Sequence, residues 1–127
     1  MTASLGRLIL YTRKIDDMAA FYCRYFGYTE QRLPGDRIIE LCPPGNGMTL
    51  LLHLAAKGQK QGQSLVKLVF DVPDVTGFCD RARANGLQFG AIHQADGYVF
   101  ANAKDPSGNS ISVSGRLFAT RADKPAG

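Results

Sequence analysis

At 127 residues, 45% hydrophobic and 20% charged, the chain has the length of one domain or of two small modules sharing a core. The composition excludes a disordered polar chain, and no stretch approaches the roughly 20 apolar residues that a membrane-spanning helix needs. Net charge is +4 and the pI about 9.1, yet the basic residues from Arg7 to Arg83 are scattered without a phosphate-tracking run or a helix-turn-helix pattern, so a solvated basic surface is expected and no nucleic-acid partner.

The first segment, Met1 to Thr12, has no small-residue cleavage pattern, so no secretory signal is expected. Leu8-Ile9-Leu10-Tyr11-Thr12 is short, β-rich and bounded by polar residues, which predicts a strand. Asp16 or Asp17 is placed to cap a helix that carries Met18, Phe21, Tyr22, Tyr25 and Phe26 at helical spacing and ends at Gly27. Strands are expected near 29–33, 37–41 and 48–54, with Pro34-Gly35-Asp36 and Pro43-Pro44-Gly45-Asn46-Gly47 as the turns between them. The stretch 55–63, rich in Lys, Gln and Gly, reads as a linker. Within it, Gly58-Gln59-Lys60-Gln61-Gly62 lacks the spacing of a nucleotide-binding loop.

The order then recurs. Leu68-Val69-Phe70-Asp71-Val72 reads as a strand, Asp74 caps a helix through Val75, Phe78, Cys79 and Ala82, and Gly86 ends it. Strands are expected near 88–93, 97–104 and 110–114. Arg7 corresponds to Lys67 at an offset of 60 residues and Gly27 to Gly86 at 59, so the chain is an internal repeat. The expected organisation is one domain over 1–115, with module 1 at about 5–54, linker 55–63, module 2 at about 64–115, and a polar tail 116–127. Cys23, Cys42 and Cys79 are odd in number and lack C-x-x-C spacing, so reduced thiols and a cytoplasmic location are expected.

Three motifs carry a resemblance. Phe21-Tyr22-Cys23-Arg24-Tyr25-Phe26-Gly27-Tyr28 is similar to F-Y-x-x-x-L-G-F, with Phe26 where Leu is usual. Asp105-Pro106-Ser107-Gly108-Asn109-Ser110-Ile111 is similar to D-P-x-G-N-x-I, and Val72-Pro73-Asp74-Val75 to V-x-D-V. Together, on a duplicated pattern over about residues 6 to 115, they resemble the glyoxalase, bleomycin-resistance and extradiol dioxygenase (vicinal oxygen chelate) superfamily. The resemblance implies an α+β fold in which two βαβββ modules form a curled mixed-sheet bowl. It also implies that metal-dependent relatives hold their metal at four positions, matched here by Arg7, Leu51, Lys67 and Ser112. None is a usual ligand, because a guanidinium or an ammonium has no lone pair to give at neutral pH. Neither a metal nor a cofactor is therefore expected.

Strand alternation predicts the concave face: Arg7, Ile9 and Tyr11, then Leu51 and His53, then Lys67, Val69 and Asp71, with Ser110, Ser112 and Ser114 and a wall from Tyr98, Phe100 and Asn102. The ligand-binding set expected from sequence is Arg7, Tyr11, Leu51, His53, Lys67, Asp71 and Ser112. His93 is expected at a solvent-facing turn. Three readings follow. The first is metal-free binding of a small anionic, partly aromatic molecule, with Asp71 able instead to pair with Lys67 or Arg7. The second is a glyoxalase-like lyase or dioxygenase-related enzyme using Tyr11, Asp71 and His53 as acid–base groups. The third is an interaction module whose bowl its own side chains fill. A cationic drug of the bleomycin type suits a basic chain poorly. From the family, a homodimer is expected, with modules paired within one chain or across two.

Overall fold

The computed structural model describes residues 1–60 and 63–119. Gln61 and Gly62 of the expected linker, and residues 120–127 of the expected tail, lie outside the described residues. The chain divides into two compact units, Met1–Ser64 with Asp105–Asn109, and Leu65–Lys104 with Ser110–Gly127.

In the first unit, strand β1 (Arg7–Thr12) is followed by helix α1 (Ile15–Phe26) and strands β2 (Thr29–Arg32), β3 (Ile39–Cys42) and β4 (Thr49–Leu54). The sheet order is β1-β4-β3-β2, with β1 and β4 parallel and the other pairs antiparallel. Residues alternate between the two faces of a strand, and one face is apolar throughout: Ile39, Leu41, Leu50 and Leu52 are buried. Against it α1 packs Met18, Phe21 and Tyr22, spaced so that they share one side of the helix.

The start of α1 differs from the sequence expectation. The helix begins at Ile15, one residue before Asp16, so neither aspartate occupies the cap position, and Lys14 there makes no side-chain cap. The turn is fixed instead by Thr12, whose hydroxyl accepts from the Lys14 amide at 2.9 Å. Asp16 and Asp17 sit in the first turn, where they favour the positive end of the helix dipole. The other end is as expected: Gly27 adopts φ 71°, the left-handed conformation that closes a helix, and its amide donates to the Tyr22 carbonyl.

The second unit repeats the pattern with β5 (Lys67–Asp71), α2 (Val75–Ala84), β6 (His93–Gln94), β7 (Val99–Lys104) and β8 (Ser110–Ser114), in sheet order β5-β8-β7-β6. Asp74 caps α2 by accepting from the Gly77 amide at 3.0 Å. Ala101, Ile111 and Val113 line the buried face with Val75 and Ala82 of the helix.

The strand expected near 88–93 is a correction, since only His93 and Gln94 pair with β7. Phe89 explains the loss. It is buried and meets Phe78 edge-on at 6.1 Å between ring centroids, while the Gly90 amide alone bonds across to Asn102. An aromatic anchored on the helix outweighs the gain from continuing the ladder. The next strand begins at Val99 rather than Gly97, because the Ala95 amide donates to the Tyr98 carbonyl and closes a turn around Gly97. Two βαβββ modules, each with a four-stranded mixed sheet and one helix, thus make an α+β protein.

The turn Asp105–Asn109 clusters with the first unit. Asp105 is buried and accepts from the amides of Ser107 and Asn109, from the Asn109 side chain, and from the Tyr22 hydroxyl. Ser107 also shares a hydrogen bond with the buried Thr12 hydroxyl.

Candidate functional site

On the face of the first sheet away from α1, register pairs Arg7 with Thr49, Ile9 with Leu51 and Tyr11 with His53. Glu40 pairs with Leu51 on the neighbouring strand. Arg7 is drawn sideways to Glu40, Nε to Oε1 at 3.9 Å, from a largely exposed guanidinium to a half-buried carboxylate, so that long pair adds little stability. Leu51 is half-buried between Ile9 and Glu40.

Tyr11 and His53 form a tilted ring pair, 5.5 Å between centroids and 55° between planes. His53 Nδ1 lies 2.9 Å from the Leu54 carbonyl. A carbonyl only accepts, so Nδ1 carries the proton and the neutral ring keeps its lone pair on Nε2. This pair opens on a recess of about 880 Å³, lined also by Ile15, Arg37, Leu54 and Gln59. The lining takes in Tyr11 and His53 but not Arg7 or Leu51. Among the described residues, Arg37 forms no ion pair. Gln59 shapes one wall: its side chain accepts from the Ala56 amide at 2.6 Å, and its own amide donates back to the Ala56 carbonyl.

Sequence reasoning missed Ile15, Arg37, Leu54 and Gln59. Leu54 and Arg37 bound expected strands, while Ile15 precedes the expected helix cap and Gln59 lies in the expected linker, so nothing local marks them as one group. Only the folding of these turns against β1 and β4 brings them beside the ring pair.

On the second sheet, Lys67 pairs with Ser110, Val69 with Ser112 and Asp71 with Ser114. The Lys67 ammonium donates to Asn102 Oδ1 at 3.0 Å. Asp71 is exposed and lies four residues along the strand from Lys67, so it does not neutralise that charge. Ser112 is only 2% exposed, and its hydroxyl turns to the Val113 carbonyl at 3.5 Å. His93 is exposed, as expected, with its ring 5.1 Å from that of Phe100.

Arg7 thus carries a guanidinium beside a carboxylate, Leu51 an alkyl chain, Lys67 an ammonium and Ser112 a hydroxyl turned to a carbonyl. A guanidinium, an alkyl chain and an ammonium have no lone pair to give a divalent cation. Among the described residues no three His, Cys, Asp or Glu side chains cluster to hold one. Burial pushes the Cys23 thiol up, with Glu30 adding to it, and burial likewise raises Cys79, with Asp80 adding to it. Both shifts favour the protonated thiol over the thiolate.

The family model described as Glyoxalase/Bleomycin resistance protein/Dioxygenase superfamily matches residues 4–113, and the chain belongs to that superfamily. Solved structures share the fold. TnmS3, an antibiotic binding protein from Streptomyces sp. CB03234, is 19% identical with a TM-score of 0.74, covering 88% of this chain and 94% of its own. A lactoylglutathione lyase from Agrobacterium tumefaciens is 22% identical with a TM-score of 0.69, covering 95% of this chain and 100% of its own. A superfamily member from Sphaerobacter thermophilus is 18% identical with a TM-score of 0.71, covering 89% and 97%. No curated protein matches the sequence. No helix among the described residues is long and apolar enough to cross a membrane.

Proposed function

We propose that this superfamily member binds a small, anionic, partly aromatic organic molecule without a metal, in the recess of its first unit. The observation that carries the reading is Arg37, a guanidinium with no carboxylate partner among the described residues, on the same recess as the Tyr11–His53 ring pair. A planar fork suits a carboxylate and the rings offer a stacking surface, so the two together select an aromatic acid. The net charge of +4 favours an anion over a cationic drug. That TnmS3 is an antibiotic binding protein supports a sequestering role on this fold.

The test is a thermal-shift screen of aromatic carboxylates on chelator-treated protein, followed by calorimetry on Arg37→Gln. A charge-assisted hydrogen bond contributes about 1.5–3 kcal/mol, so the variant should bind roughly 10- to 100-fold more weakly. Absence of any binder in the screen, or equal affinity in the variant, contradicts the reading.

A second reading has its own observation. The Tyr11 hydroxyl and His53 Nε2 belong to one recess and make a donor and an acceptor for proton transfer, as a glyoxalase-like lyase or dioxygenase-related enzyme needs. An assay with methylglyoxal and glutathione tests it, and the binding reading expects no turnover. We also read the chain as a cytoplasmic homodimer, for which sedimentation at micromolar concentration is the check on assembly.

A further inference from the structure

The second unit carries an arrangement that the recess does not use. Lys67, Ser110 and Lys104 occupy one rung of the sheet, since Ser110 pairs with Lys67 on one side and with Lys104 on the other. Their side chains therefore project from the same face. The next rung adds Val69, Ser112 and Asn102. The two lysine backbones are separated by one strand, about 10 Å, yet both side chains lean inward over β8. Lys67 Nζ reaches Asn102 Oδ1 at 3.0 Å, and Lys104 Nζ reaches Ser110 Oγ at 2.8 Å.

No carboxylate stands on these two rungs. Among the described strand residues of this face, the acid is Asp71, beside Ser114 and about 13 Å along the strand from Lys67. Two like charges leaning over the same central strand repel, and a counter-charge between them relieves the cost.

The hydrogen-bond inventory has the same sense. The Asn102 carbonyl oxygen and the Ser110 oxygen each accept from a lysine, which leaves the Asn102 amide protons and the Ser110 hydroxyl proton to donate. Each ammonium keeps two further protons. The cluster thus presents donors and two positive charges, and each of these two oxygens already accepts one bond from a lysine.

We propose that Lys67, Lys104, Ser110 and Asn102 form a binding site for a doubly charged oxyanion, of the class of a phosphate monoester. A dianion matches both ammonium groups, whereas a single carboxylate leaves one unmatched. Tetrahedral oxygens also suit donors that approach from three strands rather than from one fork. The site shares no residue with the recess at Tyr11, His53 and Arg37, so it stands or falls independently of the function proposed there.

The test titrates inorganic phosphate into the full chain at fixed ionic strength, by calorimetry and by phosphorus NMR line width. Wild-type protein should show saturable binding that strengthens as pH rises through about 6 to 7, where phosphate takes its second charge. Lys67→Gln and Lys104→Gln should each weaken it three- to tenfold, and the double variant at least tenfold with an unchanged melting temperature. The charge-keeping pair Lys67→Arg with Lys104→Arg should retain binding within threefold. Arg81→Gln, which removes an exposed charge from α2 instead, should bind within twofold of wild type. Non-saturable binding, a double variant within twofold of wild type, or equal losses in Arg81→Gln would overturn the proposal.

Discussion

The Tyr22 hydroxyl donates to Asp105 Oδ2 at 2.7 Å, joining two buried residues 83 positions apart in the chain. Each belongs to one of the motifs that mark the superfamily in this sequence, the helix ending at Gly27 and the late turn Asp105–Asn109. The link gives both motifs a structural reason. An aspartate with three further donors forms the turn, and the helix tyrosine supplies the fourth. With Asp105 satisfied, its burial is tolerated.

Removing that hydroxyl should be costly out of proportion to its size. Tyr22→Phe deletes a hydrogen bond to a buried carboxylate, worth about 1.5–3 kcal/mol, without leaving a large cavity. The melting temperature should fall by roughly 5–15 °C. Circular dichroism on heating checks this, and a change under 2 °C would mean that the bond contributes little.

The same pair sets an alkaline limit. Burial raises the Tyr22 phenol far above its ordinary value, and the Asp105 carboxylate beside it adds to the rise; burial raises Tyr28 in the same direction. A raised phenol stays protonated in the fold while the unfolded chain releases its proton near pH 10. The contribution is therefore complete below about pH 10 and is lost as pH climbs beyond it. Urea denaturation between pH 8 and pH 11 should show stability falling above about pH 10. In Tyr22→Phe the fall should be shallower by about one proton, or roughly 1.4 kcal/mol per pH unit.

Much of this architecture is readable from the sequence, and the reasons differ by element. The end of α1 at Gly27, the Asp74 cap and the alternation of Ile111 and Val113 are local patterns that appear where expected, while α2 stops at Ala84 with Asn85 as its cap and Gly86, at φ 100°, one residue beyond. Elements fixed by distant partners were not readable. The stretch 88–92 has strand-like composition, but Phe89 is held by Phe78 and the ladder is abandoned. Lys14, not an aspartate, takes the cap position of α1 because Thr12 has already formed the turn.

The site divides in the same way. Period-two alternation found Tyr11 and His53 as one face, and register confirms them as a cross-strand pair. Arg37, beside a polar turn, and Lys104, at the end of a strand, carry no local signature of a site, and only the fold sets Arg37 on the recess and Lys104 beside Ser110.

Gly27 offers a separate check on the helix end. At φ 71° a side chain is strained, and a Cβ there would lie 3.3 Å from Pro44 Cγ. Gly27→Ala should therefore destabilise the chain by about 1–2 kcal/mol. Guanidinium denaturation would reveal it, and an unchanged midpoint would show that the turn relaxes freely.

Metal stoichiometry tests whether this superfamily member works without a metal. Purified protein is incubated in turn with manganese, iron, nickel and zinc, freed of excess by gel filtration, and assayed for bound metal per chain. Since Arg7, Leu51 and Lys67 have no lone pair to give a metal, the expected result is far below one ion per chain for every metal. About one ion per chain, lost in His53→Ala, would contradict metal-free binding and make His53 Nε2 a ligand.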